Sequence, residues 1–96
     1  MKLVLFLHAG LSEDRLHQIA EQLALPAHTD LGVIHGSGSS GRHEGSRAFP
    51  GSGRAMFAVV EEAHAERLLP DVRRIRDALP PGERLRVLIL PVEQML

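Results

Sequence analysis

The sequence predicts an α+β domain of element order βαββαβ, an antiparallel four-stranded sheet with two helices on one face. Three observations predict it. Four short apolar runs carry strand-like alternation, two longer stretches carry apolar residues at helical spacing, and the two kinds follow one another in that order. The first run, residues 2–8, places Leu3, Leu5 and Leu7 on one side and Val4 and Phe6 on the other. It ends at His8 without a small-residue cleavage site, and Glu13 and Asp14 follow, so it reads as a buried strand and not as a secretory leader.

Gly10 closes the strand. Ser12 is a natural N-cap, and Glu13 and Asp14 suit the positive end of a helix dipole. Leu16, Ile19, Ala20 and Leu23 then recur at helical spacing, predicting a helix over 13–24 that Pro26 stops. Residues 29–35, with Leu31, Val33 and Ile34, read as the second strand. The third covers 54–60, with Met56, Ala58 and Val60 opposite Phe57 and Val59. Glu61 and Glu62 open a second helix whose stripe is Leu68, Val72, Ile75 and Leu79. Pro70 falls inside it, predicting either a kink there or a helix that becomes well formed only near it. Pro80-Pro81-Gly82 makes a stop and turn, 85–91 is the fourth strand, and 92–96 is a short tail. This is the ferredoxin-like arrangement, and 1–96 is read as a single domain.

At 96 residues there is no room for a second core. A net charge of −1 suggests neither nucleic acid nor an anionic membrane as partner. No apolar run approaches the length of a membrane-spanning helix. The absence of cysteine removes disulfides, zinc–thiolate sites and thiol catalysis, and makes the cytoplasm the expected compartment. With three Phe and no Trp or Tyr, the chain lacks the aromatic platform on which single-stranded nucleic acids stack.

Two helices cover one face of a sheet, so the other should turn polar where it meets water. Here strands one, three and four are apolar on both faces. At least half a dozen large side chains are left for the uncovered side, each worth roughly 1.5–3 kcal/mol when buried. Identical copies can bury them; the tail or the connection after strand two could instead fold back over them. That connection, 36–53, holds six Gly and five Ser, too few apolar groups to offset its own ordering. It is therefore expected to be mobile until something binds it.

The same connection carries Gly41-Arg42-His43-Glu44-Gly45, then Phe49-Pro50-Gly51 and the third strand, and the fourth strand runs into Pro91-Val92-Glu93. In these stretches, and in element order and length, the chain resembles the PII signalling proteins and their PII-like relatives; the metal-tolerance proteins of the CutA type are more distant cousins. The resemblance implies a homotrimer with an adenine nucleotide (ATP, ADP or AMP) in each intersubunit cleft. It also implies a long T-loop-like segment that changes shape with the ligand and engages a transporter, enzyme or regulator. On this footing Gly41 and Arg42 approach the nucleotide and His43 stands where the family has a metal-holding glutamine. Arg86 falls near its phosphate-reaching lysine. The departures are specific. The family's Gly-Asp-Gly-Lys stretch is replaced by Glu83-Arg84-Leu85-Arg86, its basic extension does not follow Leu96, and its modified tyrosine has no counterpart. They point to a divergent member with a different nucleotide, a small anion or a metal as ligand.

Read from the residues alone, successive backbone N–H groups in a glycine-rich turn can cradle an anion, with Arg42, Arg47 and Arg54 supplying charge. The ligand-binding candidates are Gly36, Gly38, Gly41, Arg42, His43, Gly45, Arg54 and Arg86. The stretch lacks the Lys-Ser/Thr ending of a P-loop, and a plain surface loop accounts for it as well. His35 and His43 flank it and are candidate ligands for a divalent metal, although the spacing matches no zinc motif. Arg73, Arg74 and Arg76 read as a solvated face paired with Glu66 and Asp77. His8, at a strand end, reads as packed. No nucleophile stands beside a base and no paired carboxylates share an obvious cleft, so no catalytic residues are assigned. The expected function is a ligand-sensing regulator; the alternatives are a CutA-like metal-binding trimer and a small ferredoxin-like enzyme.

Overall fold

The computed structural model describes residues 1–10, 12–36 and 53–96. Along them run β1 (Lys2–Ala9), α1 (Arg15–Gln22), β2 (Thr29–Ile34), β3 (Gly53–Val60), α2 (Glu62–Asp77) and β4 (Arg84–Pro91). The strands form one antiparallel sheet of order β2-β3-β1-β4, the ferredoxin-like order.

Register explains the two faces. Val4 pairs with Ala58 and Ile89, and Phe6 with Met56 and Val87. These side chains meet Leu16, Ile19 and Leu23 of the first helical segment and Ala65, Leu68 and Val72 of α2 in one core. Leu3 pairs with Val59 and Leu90, and Leu5 with Phe57 and Leu88. Strand alternation sends this second set, with Leu7, to the side without helices. Leu88 and Leu90 are 40% and 42% exposed there. The tail does not cover them: Val92 N–H donates to the Met1 carbonyl at 3.1 Å, and Met95 and Leu96 beyond it are exposed.

Several local expectations are corrected. The first helix begins at Arg15, not 13. Its N-cap is Asp14 and not Ser12, with no side-chain cap hydrogen bond, and Glu13 and Asp14 form the turn ahead of it. It also ends early, at Gln22, four residues before Pro26. Ala24 adopts φ 52° and the Leu25 N–H reaches back to the Ala20 carbonyl at 3.1 Å, a left-handed stop that needs no proline. Alanine is strained in that region. Ala24→Gly is expected to stabilise the fold by about 0.5–1 kcal/mol, checked by urea denaturation.

The second helix does not start near Pro70; it starts at Glu62 and runs through the proline to Asp77. Pro70 is exposed, so the Glu66 carbonyl it leaves without an N–H partner can turn to water. On the arginine-rich face Arg76 pairs with Asp77, one of the two acids expected there, and Arg74 pairs with Asp71. Gly53 belongs to β3, paired with Ile34, so the connection enters and leaves the sheet side by side. A bulge at Asp30/Gly32 interrupts β2. There the Asp30 Oδ1 accepts the Gly32 N–H at 2.7 Å and Gly32 takes φ 80°.

Candidate functional site

The carboxyl end of β1, the amino ends of β3 and β4 and the carboxyl end of β2 share one end of the sheet. There the chain builds a charged network that the sequence reading missed. His8 closes β1 on the helix-covered face and is only 2% exposed. Glu83 follows the Pro80-Pro81-Gly82 turn, its N–H bonded to the Pro80 carbonyl at 3.2 Å. Its side chain is 8% exposed and points back at His8, whose Nε2 lies 2.8 Å from Oε1. A carboxylate only accepts, so the hydrogen sits on Nε2. Arg15, the first residue of α1, grips the same carboxylate with both arms: Nε to Oε1 and Nη2 to Oε2, each at 2.8 Å. Its remaining Nη1 donates to Gln18 at 2.9 Å.

Hydrogen bonding from the Arg15 guanidinium, and then from His8, holds the Glu83 carboxyl down at about 2, against the opposing pull of burial. The pairing also raises Arg15 above its ordinary value. Glu83 is thus a fixed negative charge joining the end of β1, the start of α1 and the turn before β4. Gly10 makes room for it. It has φ 142°, and a Cβ there would come within 2.8 Å of the Glu83 Cγ. Gly10→Ala should therefore strain the backbone and push the carboxylate off its partners. A loss of roughly 2 kcal/mol in urea unfolding is expected.

Beside this network lies a cavity of about 260 Å³ lined by Glu13, Asp14, His17, His28, Asp30 and Arg54. The expectation that no carboxylates share a cleft is corrected here: Glu13, Asp14 and Asp30 line one, because β2 lies beside β3 under the start of α1. A second cavity, about 370 Å³, opens between the helices, with Arg15, Gln18, Ile19, Ile75, Leu79 and Pro80 in its wall.

Of the expected ligand residues, Arg54 pairs with His8 on the helix-covered face, and Arg86 pairs with Leu7 on the open face. One subunit therefore does not bring these two cations together. Gly36 and the exposed His35 lie just past β2. Gly38, Gly41, Arg42, His43 and Gly45 lie outside the described residues. Among the described residues no three His, Asp or Glu side chains converge as metal ligands, and no helix is long and apolar enough to cross a membrane. The pairing of His8 with Glu83 carried one faint sequence signal, a histidine on the core-facing side of a strand two residues before a glycine. Nothing in the sequence names its partner 75 residues away.

Fold and site define a ferredoxin-like α+β domain with a largely apolar sheet face that the described helices and tail leave uncovered, and a charged end from which the β2–β3 connection leaves. Residues 37–52 of that connection, the other cover expected, lie outside the described residues. No protein-family model matches the chain, and no curated protein matches it.

Proposed function

We propose that the chain is a PII-like regulatory subunit. Three copies join through the open face of the sheet, and a small ligand, an adenine nucleotide or a small anion, binds in the clefts between them. The state of the site is passed through the connection 36–53 to a protein target such as a transporter or an enzyme.

The observation that carries this reading is the open face itself. Leu3, Leu5, Leu7, Phe57, Val59, Leu88 and Leu90 share it, and among the described residues no helix or tail covers it, with Leu88 and Leu90 40% and 42% exposed, a patch that favours association. Two further features support the reading. The connection starts and ends side by side at Ile34 and Gly53, so a ligand near its base can act on both of its ends. Arg86 stands on the open face, so the proposed assembly brings this cation to the subunit junction, whereas Arg54 faces the helix side of its own subunit. A ligand-responsive segment joined to a rigid core is an arrangement that gives a sensor its two states.

Sedimentation velocity tests the assembly, and isothermal titration with ATP, ADP, AMP, cyclic nucleotides and bicarbonate tests the ligand. Binding by one of them to a confirmed trimer is the expected result. A trimer that binds none of them ends the nucleotide-and-anion reading.

A further inference from the structure

We propose that Arg15 and His8 form a receptor for a small organic carboxylate within one subunit, and that Glu83 occupies it as a built-in plug. Three nitrogen donors, Arg15 Nε, Arg15 Nη2 and His8 Nε2, converge on one carboxylate at 2.8 Å each. That is how a protein site grips a bound carboxylate: a guanidinium fork with a further donor closing the set. The carboxylate in place belongs to a tight surface turn and not to a helix or the middle of a strand. It reaches its seat only because Gly10 has no side chain.

The receptor has a vestibule. Arg15 is 24% exposed and lines the cavity between the helices, together with Pro80 of the same turn that carries Glu83. Ile19, Ile75 and Leu79 give that cavity an apolar wall, so it can take the body of a short-chain acid while the carboxylate reaches Arg15. Arg74 at its rim is paired with Asp71; Arg15 is the cation in this wall whose donors converge with a second residue's on one carboxylate. A carboxylate arriving this way exchanges with Glu83 for the same donors, atom for atom, with no change of charge in the seat. The displaced Glu83 then loosens the turn that leads into Arg84 and Arg86 on the open face. The site needs one subunit only, so it stands or falls apart from the intersubunit clefts.

The tethered carboxylate competes at high effective concentration, so the wild-type chain should bind weakly and the unplugged chain well. Isothermal titration with sodium butanoate, with acetate and inorganic phosphate as comparators, reads this out. Glu83→Ala should bind butanoate at least tenfold more tightly than the wild type and more tightly than acetate. Adding Arg15→Ala should abolish the gain. Equal affinity in the wild type and Glu83→Ala overturns the proposal, as does a gain that survives Arg15→Ala. Phosphate bound as well as butanoate overturns the carboxylate assignment. If Glu83→Ala does not fold, Glu83→Gln takes its place, read by thermal unfolding in butanoate against chloride at matched ionic strength. A rise no larger than that of the wild type overturns the proposal in that arm too.

Discussion

Leu5→Asp is expected to turn a trimer into folded single subunits. Leu5 sits on β1, at the middle of the open face, with Phe57 and Leu88 as its cross-strand neighbours. Its side chain points away from the core of Val4, Phe6 and the helices, so the fold itself should keep its circular dichroism spectrum. In the assembly each copy would bring an unpaired carboxylate into a dry contact. Even after relaxation such a charge costs several kcal/mol. About 4 kcal/mol is roughly a thousandfold in dissociation constant, enough to empty the trimer at micromolar concentration. Sedimentation velocity checks both sides. A wild-type chain that runs as a single subunit at micromolar concentration sinks the proposed assembly, and so does an aspartate variant that still runs as a trimer.

Removing the Glu83 carboxylate should have the largest effect on the stability of the subunit. Its folded value near 2 lies below the ordinary 4.5. The sign follows: the unfolded chain takes up the proton first, so the contribution is complete above about pH 4.5 and is lost as pH falls through about 2. Arg15 is 24% exposed, and solvent screens the pair. The contribution is therefore set at about 2 kcal/mol, less than the full shift implies. Glu83→Ala also strands the buried His8 N–H without an acceptor, which adds about 1–2 kcal/mol. Urea unfolding at pH 7 should thus lose about 3–4 kcal/mol in the alanine variant. Between pH 4.5 and 2 the wild type should weaken more steeply than Glu83→Gln. Parallel acid profiles for the two would show that the network holds nothing together.

The candidate site was legible only in part. Arg54 was singled out for its charge beside a glycine-rich connection, and Arg86 because the resemblance places it near a phosphate-reaching lysine. Which face each occupies depends on register, which shifts a side chain across the sheet with every one-residue slip. The acidic cavity was invisible for a similar reason. Glu13 and Asp14 looked like helix-dipole residues, and only the placement of β2 beside β3 brings Asp30 across from them. Helix boundaries slipped where a local rule met a stronger alternative. Ser12 lost the N-cap to the Glu13-Asp14 turn, a left-handed Ala24 ended α1 before Pro26 could, and an exposed Pro70 cost α2 only one hydrogen bond at a wet surface.

Periodicity alone determined the order of strands and helices and the surplus of apolar side chains on the sheet. Both are properties of neighbouring residues, and side-chain alternation repeats every two or 3.6 positions whatever the rest of the chain does. Only the tertiary structure decided that His8, Arg15 and Glu83 share one buried charge network. Their contact joins segments 68 and 75 residues apart. It depends on the pairing of β1 with β4, on the tight turn that aims Glu83 inward and on the missing side chain at Gly10. No local pattern encodes the meeting of three such distant pieces, because the hydrogen bonds and charge attraction that offset the cost of burying Glu83 form only once the fold has brought them together.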